Sequence, residues 1–190
     1  PNIKPFPKSE PQTDTLSAEL VLKVGDNITT DHIMPAGAKI LPYRSNIPHL
    51  SQFCFAVCDE TFPERAKALG KSIIVGGSYG QGSSREHAAL VPMYLGVRAV
   101  ITKSFARIHV ANLINAGIMP LTFKNPDDYD KLNQSDKLTL TNVFDGMNSG
   151  EITLKDETTG DEIPLVCSFT ERQKAILKAG GLLKYTKKEG

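Results

Sequence analysis

Residues 71–90 read KSIIVGGSYGQGSSREHAAL and contain the run Gly80-Gln81-Gly82-Ser83-Ser84-Arg85-Glu86-His87. Ser72, Ile73, Ile74 and Val75 form a short, largely β-branched apolar run of the kind that makes a buried strand. Four glycines follow between positions 76 and 82, which lets the backbone turn tightly and approach a ligand. Ser83 or Ser84 is then placed to cap a helix running to about Leu95, with a kink or break near Pro92 and a stop at Gly96. Strand, glycine loop and helix start bring free N–H groups and the positive end of a helix dipole to one point, beside two hydroxyls and an arginine. The segment predicts an anion site that holds a nucleophile or base.

Three known patterns compete for this stretch. Gly76-Gly77-Ser78-Tyr79-Gly80 has the G-x-S-x-G spacing of a serine-hydrolase elbow, with Ser78 as nucleophile. That elbow needs a helix directly after its serine, whereas glycine and polar residues continue here to Ser84. An α/β-hydrolase also takes more chain than 190 residues. A dinucleotide fingerprint fails because Arg85 stands where the third small residue belongs, and a P-loop fails because no Gly-Lys-Ser/Thr follows. On spacing alone, glycines that turn the chain and a serine that caps a helix are the plain alternative.

Composition bounds the rest. The chain is long enough for one domain with a real core, and 40% hydrophobic with 23% charged residues is ordinary for a globular protein. A formal charge of +1, from 22 basic and 21 acidic residues, argues against a general nucleic-acid binder. Lys184, Lys187 and Lys188 read as a solvated tail. No apolar run approaches membrane-spanning length and no signal-peptide pattern opens the chain, so the expected location is the cytoplasm. The three cysteines, Cys54, Cys58 and Cys167, form no metal set, and the pair in the apolar stretch around Phe53 reads as buried, reduced thiols.

Residues 1–16 are rich in proline and polar residues and predict an extended linker, with residues 17–190 as the folded domain. Such a beginning suggests a piece of a longer chain. Residues 18–24 predict a strand ended by Gly25-Asp26-Asn27. Thr29-Thr30-Asp31-His32-Ile33 then sets an acid beside an imidazole in a polar loop. That is either a solvated Asx-type turn or a pair that orients a neighbour and moves protons. Arg44, between Pro42 and Pro48, is either a solvated loop arginine or a fork for a carboxylate. Residues 50–56 read as a strand or short helix.

Pro63 and Gly70 bracket a helix over 62–69. Residues 97–102 are a second strand, and Ser104 is placed to cap a helix over 105–116 closed by Gly117. Arg107 and His109 then fall near the surface or the strand ends, with His109 either catalytic or, more plainly, structural. A third strand covers 118–123, and the two strand–helix–strand passages imply parallel pairing with helices packed on the sheet. A short helix or turn opens at Asn125. Short strands over 137–143, 151–155 and 163–168 follow, separated by polar turns such as 146–150. Thr170 and Gln173 make a capping box for a last helix, 171–179, ended by Gly180-Gly181.

GSSREHAAL at 82–90, ITKSFARIH at 101–109 and TTDHI at 29–33 together resemble the C-terminal swivel domain of aconitase, and the likeness runs from about Leu22 to Tyr185. The small subunit of isopropylmalate isomerase and homoaconitase share the domain plan. The resemblance implies an α/β fold of the swivelling β/β/α kind, with mixed parallel and antiparallel strands and flanking helices. It implies hydro-lyase chemistry, the interconversion of citrate and isocitrate through cis-aconitate. In that pattern Ser83 is the base, acting as alkoxide. Ser84 and Arg85 hold one substrate carboxylate, Arg44 clamps another, and Asp31 and His32 support the catalytic site.

The same resemblance implies a 4Fe-4S cluster on three cysteines that the matching positions here do not carry. The cluster would be bound by domains absent from this chain, in the same polypeptide or a separate subunit, and closing over the tricarboxylate substrate would complete the site. The isolated chain would then have little hydratase activity. Two alternatives stand beside this: a small subunit of an isopropylmalate isomerase or homoaconitase, and the RNA-binding surface of a cluster-free aconitase. Near-neutral charge without aromatic–basic interleaving gives the last no support.

Overall fold

In a computed structural model that describes residues 11–35, 37 and 40–189, the glycines after Val75 do not turn the chain. They continue it. β3 runs from Ser72 to Gln81, and only Gly82 leaves the strand. These glycines serve close approach instead. A side chain at Gly77 would collide with the Asp26 carboxylate, and one at Gly80 would meet the ring of His109.

β3 is the hub of the sheet. β1 (Leu16–Lys23) lies parallel to its first half, with Leu20 opposite Ile73. β2 (Ile28–Thr29) lies parallel to its last residues, with Thr29 opposite Gln81. β4 (Val97–Phe105) is parallel on the other side, with Val75 opposite Ile101 and Tyr79 opposite Phe105. β5 (Met119–Phe123) follows, parallel to β4.

The remaining strands are antiparallel: β6 (Lys137–Leu140), β7 (Glu151–Asp156) and β8 (Glu162–Val166), with β8 paired to β5 and β6 paired to β1. The pairing β1-β6-β7-β8-β5-β4-β3 thus returns to β1, and the ring closes. Closure satisfies backbone groups that an open sheet would leave at its edges.

Alternation along the strands splits the apolar residues into two cores. Ile73, Val75, Ala99, Ile101, Leu138 and Leu154 belong to one. Ile74 and Val100 belong to the other, packed with residues from the helices. Those helices include α1 (Thr30–Ile33), α2 (Ile47–Leu50), α3 (Phe62–Leu69) and α4 (His87–Tyr94). α5 (Arg107–Asn115) follows β4. The expected mixed α/β architecture with flanking helices is present.

Several local expectations change. α4 starts at His87, with Glu86 as N-cap and no side-chain cap bond, so neither Ser83 nor Ser84 caps it. Ser104 does not cap α5; it stays in β4 opposite Ser78, and Ala106 precedes the helix. Residues 51–53 form a 3₁₀ turn. The polar run around Gly146 is helical, α6 (Val143–Ser149), because Val143 and Met147 are buried and a glycine lets β7 approach at position 146. The capping box of Thr170 and Gln173 opens α7 (Glu171–Ala179), and α8 (Leu182–Glu189) continues where a solvated tail was expected. Of the expected linker, residues 1–10 lie outside the described ones. Gln12 is buried, with its amide donating to the carbonyls of Arg98 (3.0 Å) and Gly117 (2.9 Å).

Candidate active site

β2, β3 and β4 are mutually parallel neighbours, so the segments that leave their C-terminal ends emerge side by side. TTDHI leaves β2, GSSREH leaves β3 and ARIH leaves β4. The carboxyl ends of parallel strands are where both open and barrel-type α/β sheets bind ligands. The three motifs, separated by up to eighty residues of sequence, therefore meet for a topological reason.

Ser83 is exposed on the loop between Gln81 and His87. The Thr30 hydroxyl donates to its carbonyl at 2.9 Å, and Gly82 before it takes φ +103°. Among the described residues none hydrogen-bonds the Ser83 hydroxyl. Because α4 begins four residues later, its first-turn N–H groups do not converge on Ser83 as the sequence suggested. The start of α5 also faces this loop: Arg107 and His109 share a cavity of about 210 Å³ with Gly82, Ser84 and Asn112. Asn112 donates to the Ser84 hydroxyl at 3.5 Å.

Arg85 pairs with Asp31 across the two loops and points a second contact at the Met34 carbonyl. The pair is partly open to solvent, so its value is in aiming the guanidinium rather than in stability. His32 is used locally. Its Nδ1 accepts from the Thr29 N–H at 2.9 Å while the Thr29 hydroxyl accepts from the His32 N–H, a capping box that closes α1. With Nδ1 accepting, the proton of the neutral ring is on Nε2. Arg44 is exposed, and it lines a second cavity of about 310 Å³ with Ser84, Arg85 and His87. The structure thus gathers Arg44, Ser84 and Arg85 around one space, with Ser83 and Asp31 beside it. A larger cavity, about 800 Å³, opens at the opposite strand ends among Glu19, Lys71, Arg98 and Lys137, and none of the motif residues line it.

Sequence reasoning missed Thr30, His87 and Asn112, whose roles depend on which loops become neighbours. It also placed His109 near the surface. The residue is 2% exposed, its ring stands against Tyr79 at 5.5 Å, and burial pulls its pKa down to about 4. Both ring nitrogens are buried without a described hydrogen-bond partner.

The three cysteines do not fit an iron–sulfur cluster. Cys54 is buried and burial pushes its thiol well up, Cys58 is exposed, and the Cys167 sulfur lies near the Gly146 carbonyl beyond β8. Thiolate ligands must be deprotonated and convergent, and these are neither. Among the described residues no three His, Cys, Asp or Glu side chains group as metal ligands.

Residues 11–126 match the family model described as the aconitase C-terminal domain. The chain is 36% identical to a probable mitochondrial aconitate hydratase of Dictyostelium discoideum over 98% of its length, covering 28% of that protein. It is 37% identical to the mitochondrial aconitate hydratase of Gracilaria gracilis over 95% of its length, covering 26%. The chain therefore spans about a quarter of the curated relatives it matches. A solved 3-isopropylmalate dehydratase chain from Methanocaldococcus jannaschii superposes with a TM-score of 0.75 at 32% identity, over 92% of this chain and 95% of that one. The cytoplasmic location expected from the sequence does not stand, because these aconitate hydratases are named as mitochondrial. The absence of a signal pattern at the start of a chain that matches about a quarter of longer proteins carried no such information. With the family model, the fold and the three motifs in agreement, this chain belongs to the aconitase C-terminal domain family.

Proposed function

We propose that this chain is the domain of an aconitate hydratase that brings the base and part of the carboxylate binding to the citrate–isocitrate interconversion. The supporting observation is the cavity shared by Arg44, Ser84 and Arg85, with Ser83 exposed beside it. Dehydration breaks a C–H bond next to a carboxylate and the C–O bond on the neighbouring carbon. The Ser83 Oγ, as alkoxide, takes the proton, the C–H electron pair becomes the double bond, and hydroxide departs with the C–O pair. A neutral hydroxyl is a weak base, so the alkoxide needs fixed positive charge around it. Arg85, Arg44 and the N-terminal end of α5 supply that field. Ser84 and Arg85 hold one carboxylate, with Asp31 setting the direction of the guanidinium. Arg44 holds a second in a two-pronged contact. His32 keeps α1 closed, and Thr30 on that helix grips the Ser83 carbonyl.

The residues of this chain do not fit the cluster. The cluster-bearing domains implied by the resemblance complete the site, in the same chain or as a partner subunit. The purified 190-residue chain alone is therefore expected to show little or no hydration of cis-aconitate, and substantial turnover by it would overturn the reading.

A second reading, part of an isopropylmalate dehydratase, is favoured by the structural likeness to the Methanocaldococcus chain. Arg44 separates the two, because isopropylmalate lacks the third carboxylate. Assaying the complete enzyme with citrate, homocitrate and isopropylmalate decides between them: the highest kcat/KM is expected on a tricarboxylate, and preference for isopropylmalate would replace this reading with the second.

A further inference from the structure

We propose that His87 is a positioning residue that holds the Arg44 loop to the serine loop and so sets the spacing of the two carboxylate-binding arginines. This rests on the reading of Arg44 as a carboxylate clamp. The His87 Nε2 lies 2.5 Å from the main-chain carbonyl oxygen of Arg44. A carbonyl only accepts, so Nε2 carries the proton and donates. His87 is the first residue of α4 and follows Arg85 and Glu86 directly, so one imidazole ties the main chain of Arg44 to the segment that carries Ser83, Ser84 and Arg85.

Tyr43, Ile47 and Leu50 pack the flanks of the Arg44 loop into the core, and its other hydrogen bonds among the described residues run within the loop. Asn46 donates from its N–H to the Tyr43 carbonyl at 2.7 Å and caps the His49 N–H at 3.2 Å, and the Tyr43 ring lies 4.0 Å from the His49 ring. Those hydrogen bonds shape the loop but none of them reaches the segment that carries Arg85. Among the described residues, His87 alone bonds the Arg44 carbonyl. Both His87 and Arg44 line the same cavity of about 310 Å³. Two guanidinium groups recognise two carboxylates of one substrate only at a fixed separation, and that separation costs binding when it is lost.

The test uses the complete enzyme. His87→Ala is expected to raise KM for the tricarboxylate about tenfold with kcat changed by no more than a few-fold, because the loop that carries the clamp is released. His87→Gln, whose amide nitrogen reaches the place of Nε2, is expected to restore KM. In an Arg44→Ala background, His87→Ala is expected to add nothing further, since the two act through one contact. If Arg44→Ala raises KM and His87→Ala does not, or if the two effects simply add, His87 has no positioning role and the proposal is overturned. If Arg44→Ala itself leaves KM unchanged, the clamp reading fails and the proposal falls with it. Should His87→Ala fail to fold, His87→Gln against His87→Leu supplies the same comparison. Equal KM for those two variants would likewise overturn the proposal.

Discussion

Gly80 packs under His109 so closely that a β-carbon at position 80 would sit 2.6 Å from the Cβ, Cγ and Cδ2 of the imidazole-bearing side chain. The contact fixes how far the end of β3 lies from α5, and hence where the serine loop begins. Gly80 also takes φ +91°, which L-residues with side chains seldom adopt.

Gly80→Ala therefore carries both backbone strain and overpacking. A loss of about 2–4 kcal/mol of stability is expected, measured by denaturant or thermal unfolding. A loss under about 0.5 kcal/mol would mean that the His109 ring moves aside freely.

Thr30→Val removes the hydroxyl that grips the Ser83 carbonyl while keeping the shape of the side chain. Stability should fall by only about 1 kcal/mol. In the complete enzyme kcat should drop roughly tenfold, because the serine loop loses its orientation. Thr30→Ser should recover most of the rate. Equal rates in the valine and serine variants would show that the loop holds its place unaided.

Ser83→Ala in the complete enzyme should lower kcat by roughly two to four powers of ten, with KM altered little. Steady-state kinetics reads this directly. Equal losses in rate and affinity would make Ser83 a binding group rather than the base.

Two buried groups give pH dependences of opposite sign. Asp156 is raised from 3.8 to about 6, by burial first and then by the neighbouring Asp136 carboxyl, against hydrogen bonds from the Thr158 and Thr159 N–H groups. The native state then binds more protons than the unfolded one between about 4 and 6, so this group costs stability as pH rises through that window. His109 is lowered from 6.5 to about 4 by burial, so the unfolded state binds more protons and stability is lost as pH falls from about 6.5 towards 4. In the wild type the two slopes oppose each other. Asp156→Asn should stabilise the domain at pH 7 and expose the His109 slope, so that stability rises more steeply with pH between 4 and 6.5. Unfolding curves across that range would show it, and an unchanged slope would mean that burial does not hold a proton on Asp156.

What the sequence made legible was local. Phe62–Leu69 could be bounded because Pro63 sits in its first turn and Gly70, at φ +77°, ends it. Thr170 and Gln173 announced α7 because both halves of a capping box lie within four residues of each other. The serine motif was legible as a family signature but misread as geometry. Gly76, Gly77 and Gly80 look like a turn until Val24, Asp26 and His109, each distant in sequence, are placed against them. Ser83 and Ser84 look like helix caps until Thr30 is seen holding the Ser83 carbonyl. The meeting of Asp31 with Arg85 and of Arg44 with His87 depends on parallel strand order, which no spacing along the chain encodes.

The closed ring of strands bears on how the chain folds during synthesis. β1 carries Leu20 opposite Ile73, and its other edge pairs Ala18 with Leu138. Until β6 has left the ribosome, β1 has a partner on one side only and the cylinder stays open. Contacts so distant in sequence fold slowly, because a long loop must be ordered before they are gained. The end of the sheet that carries the candidate site, built from β2, β3 and β4, draws its strands from residues 28–105 and needs no pairing across that seam. Among the ring's pairings, that of β1 with β6 joins the residues most distant in sequence, with Ser17 opposite Thr139 and 122 positions from it, so this seam carries the largest loop-closure cost of the cylinder.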